Sequence, residues 1–167
     1  MELPFRAVNL STLAHATEDE QKVLKALRVL LPDEVEVRTE KLKGHYGNPI
    51  FTFTASIKQR KLVRELWVRI TTKLSNGELN LLSRVLTERM DEKCHLHLRF
   101  DKQLAYEGEL AFTDGGDAIH VQLKVATYPA KREVATRLVQ ELIASMVSVG
   151  EVDNSIKKFM DYRKVSG

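Results

Sequence analysis

The stretch Cys94-His-Leu-His-Leu-Arg-Phe-Asp101 decides the fold: Cys94, Leu96, Leu98 and Phe100 alternate with His95, His97, Arg99 and Asp101. Successive side chains of a β-strand point to opposite faces, so this pattern predicts a strand with one face on a core and one face wet. The same alternation runs through Ile119, Val121, Leu123 and Val125, separated by His120, Gln122 and Lys124. It recurs at Phe51, Phe53, Ala55 and Ile57, separated by Thr52, Thr54 and Ser56. Val35 and Val37 alternate with Glu36 and Arg38, and Ala7–Leu13 is a weaker first strand. One-sided strands of this kind pair antiparallel. Asp114-Gly-Gly-Asp117 reads as a hairpin turn that joins Leu110-Ala-Phe112 to the strand after it.

Helices fill the intervals. Thr17-Glu-Asp-Glu20 has the form of a capping box, followed by Val23, Leu24, Leu27, Leu30 and Leu31 at helical spacing and by Pro32 as a stop. A second helix is expected over Lys58–Lys73, with Leu62, Val63, Leu66, Trp67 and Ile70 on its inner side. Ser75-Asn-Gly-Glu78 offers a new cap for a third, striped by Leu79, Leu82, Val85, Leu86 and Met90. A fourth is expected from near Pro129, a good first-turn residue, through Val134, Leu138, Leu142, Ile143 and Met146 to Gly150. The fold class is therefore α+β: a two-layer sandwich, mostly antiparallel, with helices on one sheet face and the other face open. Residues 1–150 are expected to form one domain and residues 151–167 a tail, in which Asp153–Tyr162 has the pattern of a short amphipathic helix.

Composition narrows the function classes. With 167 residues, 43% of them hydrophobic, the chain can bury one sizeable core, and a second would be cramped. No apolar run approaches the roughly 20 residues of a membrane span, and no secretory pattern opens the chain, so a cytoplasmic address is expected. Cys94 is the single cysteine, which excludes an internal disulfide and a cysteine-rich zinc module.

Charge is distributed unevenly. From Glu36 to Lys73 there are nine Lys or Arg against three Asp or Glu, a balance of +6, whereas the whole chain carries +3. The zone opens on Lys41-Leu-Lys-Gly-His-Tyr-Gly-Asn-Pro-Ile50, a basic, turn-rich stretch expected as a loop. A positive zone on a near-neutral globule is the footprint of a protein that meets phosphates. Gly44 and Gly47 are expected to let backbone amides approach phosphate, and Asn48-Pro49 to hold the exit of the loop extended. Gly44-His-Tyr-Gly47 has the Gly-x-x-Gly spacing of a KH loop but precedes a strand, which is the wrong context.

Catalytic signals are thin. There is no Walker loop, dinucleotide fingerprint, His-Glu-x-x-His or nucleophile elbow. His95, His97 and His120 could share a sheet face, but no carboxylate is placed to complete a metal site, so neither metal nor cofactor is expected. That face would also show Arg38, Thr52, Thr54, Arg99, Gln122 and Lys124, without aromatic rings for base stacking. Such a face suits sugar and phosphate, or a second copy in a homodimer.

Ala14-His-Ala-Thr-Glu-Asp-Glu-Gln-Lys-Val-Leu24, Leu31-Pro32 and Gly44-His-Tyr-Gly-Asn-Pro-Ile50 together resemble the archaeal exosome-associated RNA-binding protein family. Arg99-Phe-Asp-Lys-Gln103 and Asp117-Ala-Ile-His-Val121 extend the match over roughly residues 5–145. The resemblance implies a fold similar to ribosomal protein L5 and a non-catalytic RNA-binding role, in RNA processing or ribosome assembly, with an RNA-processing complex as a partner. With the charge pattern, it makes Arg38, Lys41, Lys43, Gly44, His45, Tyr46, Gly47, Asn48, Lys58, Arg60, Lys61 and Arg64 the candidate RNA contacts. Recognition would be led by the shape of a structured RNA, with Tyr46 the one candidate stacker. An interaction module and a metal-dependent hydrolase are the alternative classes.

Overall fold

The computed structural model describes residues 2–147. Its centre is β1 (Phe5–Ala14), whose Phe5, Val8, Leu10, Thr12 and Ala14 are buried while the intervening residues are not. It is followed by α1 (Glu20–Leu30), β2 (Arg38–Lys43), β3 (Pro49–Ile57), α2 (Arg60–Lys73) and α3 (Asn76–Arg89). Then come β4 (His95–Asp101), α4 (Lys102–Tyr106), β5 (Ala118–Val125) and a fifth helix, α5, over residues 132–147. The five strands form one sheet in the order β2-β3-β1-β5-β4, and every neighbouring pair is antiparallel. Among the described residues, no helix is long and apolar enough to cross a membrane.

The expected α+β sandwich is thus what the chain forms. The alternating apolar residues of β1, β3, β4 and β5 line one face and join the inner stripes of the helices in a single hydrophobic cluster. The α2 helix lies on β1, its Trp67 ring 4.8 Å from that of Phe5, and α3 lies on β4. The opposite face carries Asn9, Ser11, Thr54, His97, Arg99, His120, Gln122 and Lys124, as the alternation requires.

Several boundaries differ from expectation, each for a local reason. The cap of α1 is Asp19, which accepts the Gln21 amide at 2.9 Å, because Glu18 turns back to the His15 amide and Thr17 lies outside the helix. Residues 35–37 are not a strand; pairing starts at Arg38, opposite Thr54. The α2 helix begins at Arg60, two residues later than expected, and the fifth helix at residue 132. Pro129 instead closes a tight turn in which its carbonyl accepts the Lys131 amide at 2.8 Å, and the first helical bond runs from Ala135 to Lys131. Cys94 is buried but precedes β4, at φ 63°, in the turn before that strand. Leu110–Phe112 makes a single bridge to Phe100, on the edge of β4 away from β5, so Asp114–Asp117 crosses the end of β4 instead of closing a hairpin. Gly150 and Asp153–Tyr162 lie outside the described residues.

The α4 helix has no counterpart in the sequence pattern. Asp101 caps it through the Leu104 amide at 2.9 Å, and its first residue, Lys102, is only 5% exposed. The Lys102 ammonium donates to the Leu13 carbonyl at 2.8 Å, to Glu18 at 2.8 Å and to Asp117 at 2.5 Å. A buried cation is tolerated only when paired in this way. Removing it would strand two carboxylates and a carbonyl, so Lys102→Met should cost about 2 kcal/mol, discounted from the cost of breaking a fully buried pair because Asp117 reaches solvent. Urea unfolding tests this, and a change within about 0.5 kcal/mol would show the cluster to be incidental.

Candidate nucleic-acid interface

The basic zone folds as one continuous unit, β2–β3–α2. Lys41–Ile50 is not a long loop: Lys41 pairs with Phe51, Leu42 with Ile50 and Lys43 with Pro49. All six residues of β2 are exposed, so this edge strand has no buried side to produce an apolar alternation. The hairpin closes through Gly44–Asn48, where the Gly44 amide donates to the Asn48 carbonyl at 2.7 Å and the Gly47 amide to the Gly44 carbonyl at 3.0 Å. This is a three-residue connection with a left-handed third position, which Gly47 fills at φ 80°. A Cβ on Gly44 would stand 2.9 Å from the Asn48 carbonyl. Both glycines are therefore demanded by the turn and both amides are spent inside it, which overturns the expectation that they cradle phosphate.

Side chains are what the tip offers. His45 and Tyr46 occupy the middle of the turn, their rings edge to face at 5.2 Å, and Tyr46 is 90% exposed. Register puts Lys41 and Lys43 on one side of the hairpin and Arg38, with Thr54, on the open face. Lys58, Arg60, Lys61 and Arg64 lie beyond the other end of β3. Lys41 stands opposite Phe51 and Lys43 opposite Pro49, so seven to nine residues of β3, at about 3.3 Å each, separate them from Lys58 by roughly 23 to 30 Å. They form two basic patches. Arg60 reaches Glu2 at 2.8 Å, with both side chains well exposed, so the pair contributes little. Arg60, Lys61 and Arg64 line a groove of about 670 Å³ together with Arg6, a β1 residue that the sequence pattern does not single out because it stands outside the charged run. Lys58 and Arg38 line a neighbouring groove of about 630 Å³, rimmed by Glu34 and Glu36.

A family model described as RNA binding matches residues 7–125. The chain belongs to that RNA-binding family. The family match spans the hairpin, the start of α2 and the open sheet face, and stops before α5. The chain is 37% identical over 139 residues to a protein named RNA-binding protein PAB1135 of Pyrococcus abyssi, covering 80% of this chain and 90% of that one. Among solved structures it is similar to AF2318 of Archaeglobus fulgidus, a DUF54 protein, at 38% identity and a TM-score of 0.75 over 83% of this chain and 99% of that one. Mth689 of Methanothermobacter thermautotrophicus, also a DUF54 protein, gives 35% and 0.71 over 83% and 98%.

Within the family-matched region, the three histidines come together as expected on the open face, and a carboxylate joins them. Asp91 was not anticipated, because it lies in the turn before β4 and not on a strand. Its Oδ2 is 2.8 Å from His97 Nε2 and 3.3 Å from His95 Nδ1, and His97 Nδ1 is 3.1 Å from His120 Nε2. Burial pushes the Asp91 carboxyl up, but hydrogen bonds from His97 and from the His95 and Lys93 amides, with the charge of His95, outweigh it and hold the pKa at about 2. His120 is lowered from the usual imidazole value by burial, then by His97 and Arg99. Elsewhere among the described residues, His15, Glu18 and Asp117 have spacing that could hold a metal ion, but the Lys102 ammonium already bonds both carboxylates.

The turn geometry makes a direct prediction. Gly47→Ala should cost about 1 kcal/mol in urea unfolding, because φ there is positive, while Gly47→Asn should cost less. Alanine at Gly47 with unchanged stability would contradict the left-handed turn.

Proposed function

We propose that this protein is a non-catalytic binder of structured RNA that grips phosphates with the two ends of its β2–β3–α2 unit and serves RNA processing as part of a larger complex. The observation that carries this is the fate of the +6 segment: Arg38, Lys41, Lys43, Lys58, Arg60, Lys61 and Arg64 are all exposed, and none is used in the core. Membership in an RNA-binding family and the name of the Pyrococcus relative support the nature of the ligand. The resemblance to an exosome-associated family supports the processing role.

Cations spaced by roughly 23 to 30 Å suit phosphates that lie far apart on a folded RNA, and a sheet without aromatic rows does not suit stacked single strands. Recognition is then led by shape, and counterion release makes it salt-dependent. The edge charges Arg38, Lys41 and Lys43 oppose pairing of β2 with a second copy, which weighs against dimerisation through that edge.

Two sets of substitutions test the reading: Lys41→Gln with Lys43→Gln, and Arg60→Gln with Lys61→Gln. Each should weaken binding of an RNA hairpin about tenfold and lower the salt slope by about one for every phosphate no longer neutralised. The patches share no partner, so the combined loss should be additive to about 0.5 kcal/mol. Unchanged affinity and slope in both sets would remove the proposal.

A further inference from the structure

The polar chain on the open sheet face has a direction. Asp91 Oδ1 accepts the Lys93 and His95 amides, each at 2.9 Å, which leaves Oδ2 for His97 Nε2 at 2.8 Å, with His95 Nδ1 farther off at 3.3 Å. An ionised carboxylate has no hydrogen to give, so His97 Nε2 must carry one. A neutral imidazole has one N–H, so with both rings neutral His97 Nδ1 is an acceptor and His120 Nε2, 3.1 Å away, donates to it. The lone pair of His120 therefore sits on Nδ1. Among the described residues, no group bonds that nitrogen.

The surroundings of His120 restrict what it can meet. Arg99 of β4 and Ser11 of β1 stand directly opposite it on the same face, and Gln122 and Lys124 follow along β5. The Arg99 and Lys124 side chains are tethered to the carbonyls of Gly115 at 2.6 Å and Lys93 at 2.5 Å, which holds their charge in place. The acidic neighbours are occupied: Asp91 by the histidines and Asp101 by the α4 cap. A neutral acceptor does not fit phosphate, which also only accepts. It fits a donor carried between phosphates, and with the His97 and His120 rings stacked on each other at 5.2 Å and no Phe, Tyr or Trp on this face to hold a base, the donor is on the sugar.

We infer that His120 Nδ1 is a fixed acceptor for a ribose 2′-hydroxyl, and that the open sheet face is where the protein distinguishes RNA from other nucleic acid. Arg99 and Lys124 take the flanking phosphates. Asp91 and His97 are positioning residues that set the tautomer of His120. The inference rests on the RNA-binding reading above.

The probes are an RNA hairpin and the same hairpin made with 2′-fluoro sugars, which keeps the A-form shape and has no 2′ donor. Wild-type protein should prefer the RNA by about fivefold, the size of one net hydrogen bond. His120→Ala should bring the ratio near one while Lys41→Gln lowers both affinities and preserves it. Asp91→Asn keeps the two amide bonds through its oxygen but presents an N–H₂ to His97, so the chain reverses and His120 Nδ1 becomes a donor. Because a 2′-hydroxyl can also accept, that variant is read not by the hairpin ratio but by the ¹⁵N resonances of the histidine rings, which should report both tautomers reversed. If wild type binds both hairpins equally, or His120→Ala keeps the preference, or the histidine ¹⁵N resonances are the same in wild type and Asp91→Asn, this inference fails and RNA binding stands. If neither hairpin binds, the RNA reading itself fails. A solution dimer abolished by His120→Ala would give the face to a second copy and overturn the assignment.

Discussion

The Lys102 ammonium joins four parts of the chain that are far apart in sequence. It is buried where β1 ends, α1 starts, α4 starts and β5 is about to begin, and it bonds Leu13, Glu18 and Asp117 at once. A buried charge has no low-energy alternative to its partners, so each segment is held at a definite position. The resemblance motifs around His15–Glu18, Asp101–Gln103 and Asp117–His120 meet at this point, which gives them a structural reason to occur together. From this fixed end the β1–β3 register runs through Ala14 opposite Phe51, and the β2–β3 hairpin continues past it into solvent.

Those constraints sort the positive charge into places where it can act. The hairpin carries Lys41 level with the end of β1 and Lys43 beyond it, and β3 delivers Lys58 and the α2 cations to the opposite end. On the open sheet face, Asp91 holds His97 and, through it, His120. The same rule of pairing applies to both acid clusters. Lys102 neutralises Glu18 and Asp117, whereas Asp91 is stabilised by N–H donors and thereby orients two imidazoles.

What could be read in the sequence follows from what burial writes into it. Strands β4 and β5, with one side in the core, show a strict alternation, and their wet-face residues His97, Arg99, His120 and Gln122 stand on one face as that alternation requires. The Ser75 cap of α3 was equally legible, its hydroxyl accepting the Glu78 amide at 3.1 Å. The β2 strand was not, because an edge strand exposed on both sides carries no period and Lys41–Ile50 then looks like a loop. Asp91 and Lys102 were invisible for another reason: their roles depend on partners brought together by the fold, over 84 residues for Lys102 and Glu18. Arg6 likewise joins Arg60 and Lys61 only when β1 and α2 are packed.

The central claim is that RNA lies along the β2–β3–α2 unit and the open sheet face. Amide chemical-shift mapping on ¹⁵N-labelled protein titrated with an RNA hairpin tests it in one measurement. Shifts are expected at His45 and Tyr46, at Lys58–Lys61 and at His120, with the outward residues of α3 unmoved. Shifts confined to α3 and α1, with the hairpin tip and the sheet face silent, would contradict it.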